Sequence, residues 1–160
     1  MALVGRDGVV GVAALLGAPP EESRAVVLHP GTAWRLAATA LVGDYLQSAQ
    51  LIQPVLIHVM ALTTQMAQTA VCEKIHSVEQ RLCRWLLNAF DRVPGDALAL
   101  DLGDLTEMLD VPVEALAGAA AQLVGSGALA CGPGRLVLLN RSALQAQTCG
   151  CQVIVSSRGM

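Results

Sequence analysis

Two cysteines one residue apart, Cys149 and Cys151, three histidines, His29, His58 and His76, and a serine beside one of them, Ser77, are the side chains whose chemistry could amount to a site. A Cys-x-Cys pair can hold a soft metal or form a redox couple, but it supplies two ligands where a closed zinc site takes four. The histidines are far apart in the chain, and none is expected to share a metal with a second ligand at helical spacing. They read as surface or hinge residues. Ser77 could act as a nucleophile only with a base aimed at its hydroxyl and an oxyanion site nearby, and neither is signalled. Gly5 to Gly11 lacks the following Lys-Ser or Lys-Thr pair of a phosphate-binding loop. Cys72 and Cys83 fall on helical core positions, where free cysteine packs as a small apolar group. The expectation is a chain that is not an enzyme and that holds neither metal nor cofactor.

Composition sets broader limits. In 160 residues, 54% hydrophobic and 14% charged, there is enough apolar surface for one core or two small ones, so disorder is excluded. A net charge of −3 argues against general attraction to nucleic acid or anionic lipid, so any DNA contact must be local. Five cysteines without paired CxxC spacing suit a reducing cytoplasm. The apolar run from Val9 to Ala18 is a poor secretory signal, because Asp7 offsets Arg6, and Gly8 before it and Gly11 and Gly17 within it dilute it. From Tyr45 to Cys72 the chain has no Asp, Glu, Lys or Arg, which is long enough to cross a hydrocarbon layer of ~30 Å. Gln47, Gln50, Gln53, His58, Gln65 and Gln68 recur through it, and their amides would be costly in lipid. A buried or paired helix is expected, with no membrane partner.

Three parts follow from the pattern. Residues 1–44 are glycine-rich, with strand-like pieces at Ala25 to Leu28 and Ala33 to Leu36 around the turn signal His29-Pro30-Gly31. Residues 45–76 form a long helix and its junction. Ile52, Val55, Val59, Leu62 and Met66 recur at spacings of three and four, a narrow seam suited to a second copy of the helix, and Pro54 places the regular helical start beside it. Residues 77–151 begin with a capping box, Ser77 with Gln80, and continue as helix, strand, helix, turn, helix and hairpin. Val78, Leu82, Trp85, Leu86 and Ala89 share one face of the first helix. Asp101 caps the second, Leu102 to Leu109, and Pro112 opens the third as its first residue. The hairpin turns at Gly132-Pro133-Gly134, and residues 152–160 are a tail.

The junction from Met66 to Leu87, and above all Ser-Val-Glu-Gln-Arg-Leu-Cys-Arg-Trp-Leu-Leu at Ser77 to Leu87, resembles the bacterial regulators of the Crp/Fnr family. Gly5-Arg6-Asp7-Gly8-Val9-Val10-Gly11 is similar to the glycine-rich approach to that family's effector pocket, and Cys149-Gly150-Cys151 to a short tail found in some members. The resemblance covers nearly the whole chain. It implies an α+β fold: the later part of a cyclic-nucleotide-binding-like β-roll at 1–44, a dimerisation helix at 45–76 with its hinge at Ile75, His76 and Ser77, and a winged helix-turn-helix at 77–151. It further implies a homodimer acting on double-stranded DNA.

Departures from the family pattern weaken the expected function. The run Gly11-Val12-Ala13-Ala14-Leu15 lacks the acid that would bind a ribose, and Arg24 matches the phosphate-binding arginine only approximately, so cyclic nucleotide is not an expected ligand. Where the family places an Arg-Glu-Thr-like group to read bases, this chain has Val113 and Glu114, and from Ala115 to Gly134 no residue is charged. Arg135, at the hairpin tip, is the remaining phosphate contact. The expected function is a Crp/Fnr-type regulator weakened in DNA reading. The alternative is an interaction protein that dimerises with itself or a full-length relative without reading DNA.

Overall fold

The computed structural model describes residues 1–18, 24–40 and 48–151. The elements are α1 (Val12–Leu15), a 3-10 turn (Ala38–Ala40), α2 (Ala49–Ile75), α3 (Val78–Phe90), β1 (Ala97–Leu98), α4 (Leu102–Leu109), α5 (Val113–Gly125), β2 (Leu129–Gly132), β3 (Arg135–Leu138) and α6 (Arg141–Ala146). The chain is thus mixed helix with one small antiparallel sheet, in the order β1-β3-β2.

The core lies in the second half, and the sequence pattern explains why. Leu82, Trp85, Leu86 and Ala89 are buried along α3, the spacing of one helical face. They meet Leu105 and Leu109 of α4, Leu116, Ala119, Ala120 and Leu123 of α5, Leu129, Leu136 and Leu138 of the sheet, and Leu144 of α6 in one cluster. Small residues at Ala119 and Ala120 let α5 pack closely against α3. Ser77 caps α3 as the sequence implied: its hydroxyl accepts from the Gln80 N–H, and the Gln80 amide oxygen accepts from the Ser77 N–H. Asp101 caps α4 reciprocally with Asp104.

Helices α4 and α5 are bent by 119° at a break of three residues, Asp110-Val111-Pro112, within the crossing range of helix-turn-helix units. The turn depends on Asp110, which adopts the left-handed conformation at φ 50°, one that short polar side chains tolerate. Pro112 is the residue before the helix rather than its first residue: Val113 takes that place, and the Pro112 carbonyl accepts from the Leu116 N–H at 3.1 Å. Strands β2 and β3 pair from Leu129 opposite Leu138 to Gly132 opposite Arg135. Pro133 and Gly134, the latter at φ 62°, make the two-residue connection with residues suited to a type II turn. A final helix, α6, was not expected; Asn140 caps it, accepting from the Ala143 N–H at 3.0 Å.

The first half departs from expectation. Among the described residues of 1–40 there is no strand: Ala25 to Leu28 and Ala33 to Leu36 belong to no ladder, and Trp34 and Val27 are exposed. Extended pieces form a sheet only when neighbouring strands satisfy their backbone groups, and among the described residues none does. The segment 1–9 lies instead against α2. Gln65 accepts from the Leu3 N–H and donates to the Leu3 carbonyl, His58 Nε2 lies 2.9 Å from the Val9 carbonyl, and Arg92 donates to the Leu3 carbonyl at 3.2 Å.

Helix α2 begins at Ala49, and Pro54 lies inside it rather than beside its start. The bond that Pro54 cannot make would go to the carbonyl of Gln50, an exposed residue that solvent can serve. The expected starting residues 45–47 and the tail 152–160 lie outside the described residues. The segment Ile52–Ile75 is long and apolar enough by length and composition to cross a membrane, and little of it is buried.

Candidate functional site

The side chains that converge most tightly are four potential metal ligands: Cys72, His76, Cys149 and Cys151. One ligand atom from each lies within 4.8 Å of all the others. Cys72 sits in the last turn of α2 and His76 immediately caps it, so a separation of four residues sets both on one face. Cys149 and Cys151 come from the turn after α6, with Gly150 between them. The Cys72 and Cys149 sulfurs are 3.9 Å apart, and His76 Nε2 lies 3.3 Å from the Cys151 sulfur. Cys72 and Cys149 are buried, and His76 and Cys151 half-buried. The Gln68 amide donates to the Cys72 sulfur at 3.8 Å from one turn earlier.

Burial raises Cys149, and it pushes Cys151 up to about 11, where crowding by Cys72 and Cys149 adds to the effect. Ionising one thiol among others is unfavourable unless a cation is present to share the charge. Cys83, on α3, is pushed up to about 11 chiefly by burial and stays an inert core group, as its position implied.

No metal was expected from the sequence, because the Cys149-x-Cys151 pair alone supplies too few ligands. Cys72 reads there as a core residue, yet it stands four residues before His76, and that helical spacing was the available signal. The meeting of the two halves was not legible, since it depends on α6 and the turn returning to the end of α2.

Ile75 ends α2 and Ser77 caps α3, so the three residues expected to form a hinge, Ile75, His76 and Ser77, lie at the α2–α3 junction, with His76 and Ser77 extended between the helices. The arginines following them are committed to structure. Arg81 donates to the Leu109 carbonyl at the end of α4, and Arg84, buried, donates to the Thr69 hydroxyl of α2 at 3.1 Å.

Of the seam residues, Ile52, Val55, Val59 and Leu62 are half-buried within the single chain and Met66 is exposed. The apolar side chains left most open lie around another side of α2: Leu56, Ile57, Met60, Val71 and Ile75, each 47–65% exposed. The reason is the N-terminal segment. His58, Leu62 and Gln65 share a face, and the segment bonds to that face through Leu3 and Val9.

Val113 and Glu114 are exposed in the first turn of α5, and Arg135 is exposed at the hairpin end. The surroundings are acidic. Asp96, Asp101, Asp104, Glu107, Asp110 and Glu114 precede or open α5, while no Lys or Arg occurs between Arg92 and Arg135. Glu107, Asp110 and Val113 border one shallow concavity at the turn. Arg24, the approximate match to a phosphate-binding arginine, pairs on the surface with Glu107 at 3.6 Å.

This arrangement defines a class of fold: a long helix joined by a short extended junction to a helix-and-hairpin unit, a CRP-like fold. The likeness is to the crystal structure of a CRP-family transcriptional regulator from Thermus thermophilus, at a TM-score of 0.54 and 16% identity. The match covers 62% of this chain and 54% of that one, so the chain spans about half the length of the regulator it resembles. No protein-family model and no curated protein matches the sequence.

Proposed function

We propose that this chain is a transcription regulator of CRP type that pairs through α2 and docks a winged helix-turn-helix on duplex DNA with little base reading. The observation that carries the reading is the steeply crossed α4–α5 pair followed by the β2–β3 hairpin, in a fold resembling a CRP-family regulator. In such a unit the second helix enters the major groove and the hairpin meets the backbone. Val113 offers an apolar contact to a thymine methyl, Glu114 can accept from a cytosine amine, and Arg135 can neutralise one phosphate. Pairing through α2 would bury Leu56, Met60 and Val71, which the single chain leaves open. A membrane assignment for the same helix fits less well, because His58 and Gln65 already hold the N-terminal segment. Free cysteines at all five positions suit a reducing cytoplasm.

The acidic approach to α5 favours a second reading, an interaction protein that keeps the fold and pairs with itself or a longer relative without touching DNA. Like charge beside the phosphates opposes docking. Fluorescence anisotropy with mixed-sequence duplex DNA at low and moderate salt separates the two. Binding that weakens with salt supports the regulator; no binding at the lowest salt overturns it in favour of the interaction protein.

A further inference from the structure

We infer that Cys72, His76, Cys149 and Cys151 form a structural site for a single tetrahedral metal ion, zinc by ligand type, that fastens the end of α2 to the turn after α6 across the hinge. Four observations carry this. The ligand set is Cys3His, a recurrent closed zinc combination, and with four protein ligands it leaves no open position for chemistry. Zinc–sulfur bonds of about 2.3 Å and zinc–nitrogen bonds of about 2.0 Å give tetrahedral edges of roughly 3.8 Å between sulfurs and 3.5 Å between sulfur and nitrogen. The chain holds one pair of each kind at 3.9 Å and 3.3 Å. The three sulfurs and the imidazole nitrogen all lie within 4.8 Å of one another, a span that suits ligands sharing one ion rather than a polynuclear cluster whose metals occupy separate positions. Thiolates also select zinc over magnesium or calcium.

On binding, each of the three thiols loses its S–H proton to solvent and gives its sulfur lone pair to the ion, while neutral His76 gives the Nε2 lone pair. No electron is transferred. The consequence is mechanical. Ser77 and α3 follow His76 directly, so a metal spanning Cys72, His76 and the Cys149–Cys151 turn closes the whole helix-and-hairpin unit back onto α2. The hinge is then held at both ends of that unit. This inference does not depend on DNA binding, and its failure would leave the proposed regulator untouched.

The test is metal analysis of the full chain purified without a metal-binding tag under reducing conditions, with a cobalt titration of the metal-free protein. The expected result is about one zinc per chain, and cobalt giving intense tetrahedral absorption with thiolate-to-metal charge transfer. Cys149→Ser with Cys151→Ser should abolish both, and Cys131→Ser, at an exposed position outside the cluster, should leave both unchanged. Removing zinc should speed amide exchange at residues 75–78. If the double variant loses helicity, the cobalt spectrum of the unsubstituted chain decides alone. Substoichiometric zinc with no charge-transfer band overturns the site, as does a double variant that keeps its metal, or a Cys72–Cys149 disulfide that persists in the metal-free protein despite reductant. Unchanged exchange on zinc removal overturns its role at the hinge.

Discussion

Replacing Val113 with Arg and Glu114 with Lys asks whether α5 can enter a groove at all. Both positions are exposed in the first turn of α5, so the core at Leu116 and Ala119 is undisturbed. Exchanging a carboxylate for an ammonium at a helix N-terminus costs about 1 kcal/mol, small beside a total domain stability of about 5–15 kcal/mol. If each new cation neutralises one phosphate, the slope of log affinity against log salt steepens by roughly 1.8. The counterion contribution vanishes near 1 M, so at about 0.1 M salt the gain is roughly 60-fold. Glu107 and Asp110, which border the same concavity as Val113, will hold part of the new charge. Surface pairs of this kind are worth up to about 1 kcal/mol, which lowers the expected gain to roughly 10- to 60-fold. Anisotropy across a salt series, with circular dichroism to confirm helicity, reads both quantities. A folded variant whose affinity rises less than about threefold would show that α5 does not approach the duplex.

Three further outcomes follow. Leu116→Ala, at the fully buried contact of α5 with α3, should cost about 2–5 kcal/mol in urea unfolding; a cost under about 1 kcal/mol would remove Leu116 from the core. Ser77→Ala should cost about 1 kcal/mol by removing the cap of α3. The Ser77 hydroxyl, then the helix N-terminal backbone, hold Glu79 below 4.5, so this carboxylate stabilises the fold above its unfolded pKa and loses that effect as pH falls through the lower folded value. In Ser77→Ala an NMR titration should find Glu79 moved back up, and an unmoved value would contradict the assignment. The unsubstituted chain should be a dimer by light scattering at tens of micromolar, and Leu56→Lys with Met60→Lys should make it monomeric. If Val55→Lys with Val59→Lys acts instead, the original seam is the interface.

The second half of the molecule was readable because its signals are local. Ser77 with Gln80, Asp101 before α4, the 3.6-residue spacing of Leu82, Trp85 and Leu86, and Pro133-Gly134 between apolar strands each act within a few residues. The first half was not, because Ala25 to Leu28 has strand composition, but a strand exists only through neighbours that composition does not reveal. Gln65 and His58 look like polar interruptions of an apolar helix, whereas they bind the backbone of Leu3 and Val9, a contact between segments distant in sequence. The Cys3His cluster was hidden for the same reason. Its local half, Cys72 with His76, is a helical spacing; its other half arrives only through the fold.

The proposed docking of the helix-and-hairpin unit on duplex DNA, with few phosphate contacts, is decided by the salt dependence of binding for the unsubstituted chain and for Arg135→Ala. Arg135 is exposed at the hairpin tip, and no other Lys or Arg lies between it and Arg92. The slope should be shallow for the unsubstituted chain and should fall by roughly 0.9 for each Arg135 removed from a phosphate. An identical slope in the two proteins, or no binding by either, would contradict that docking.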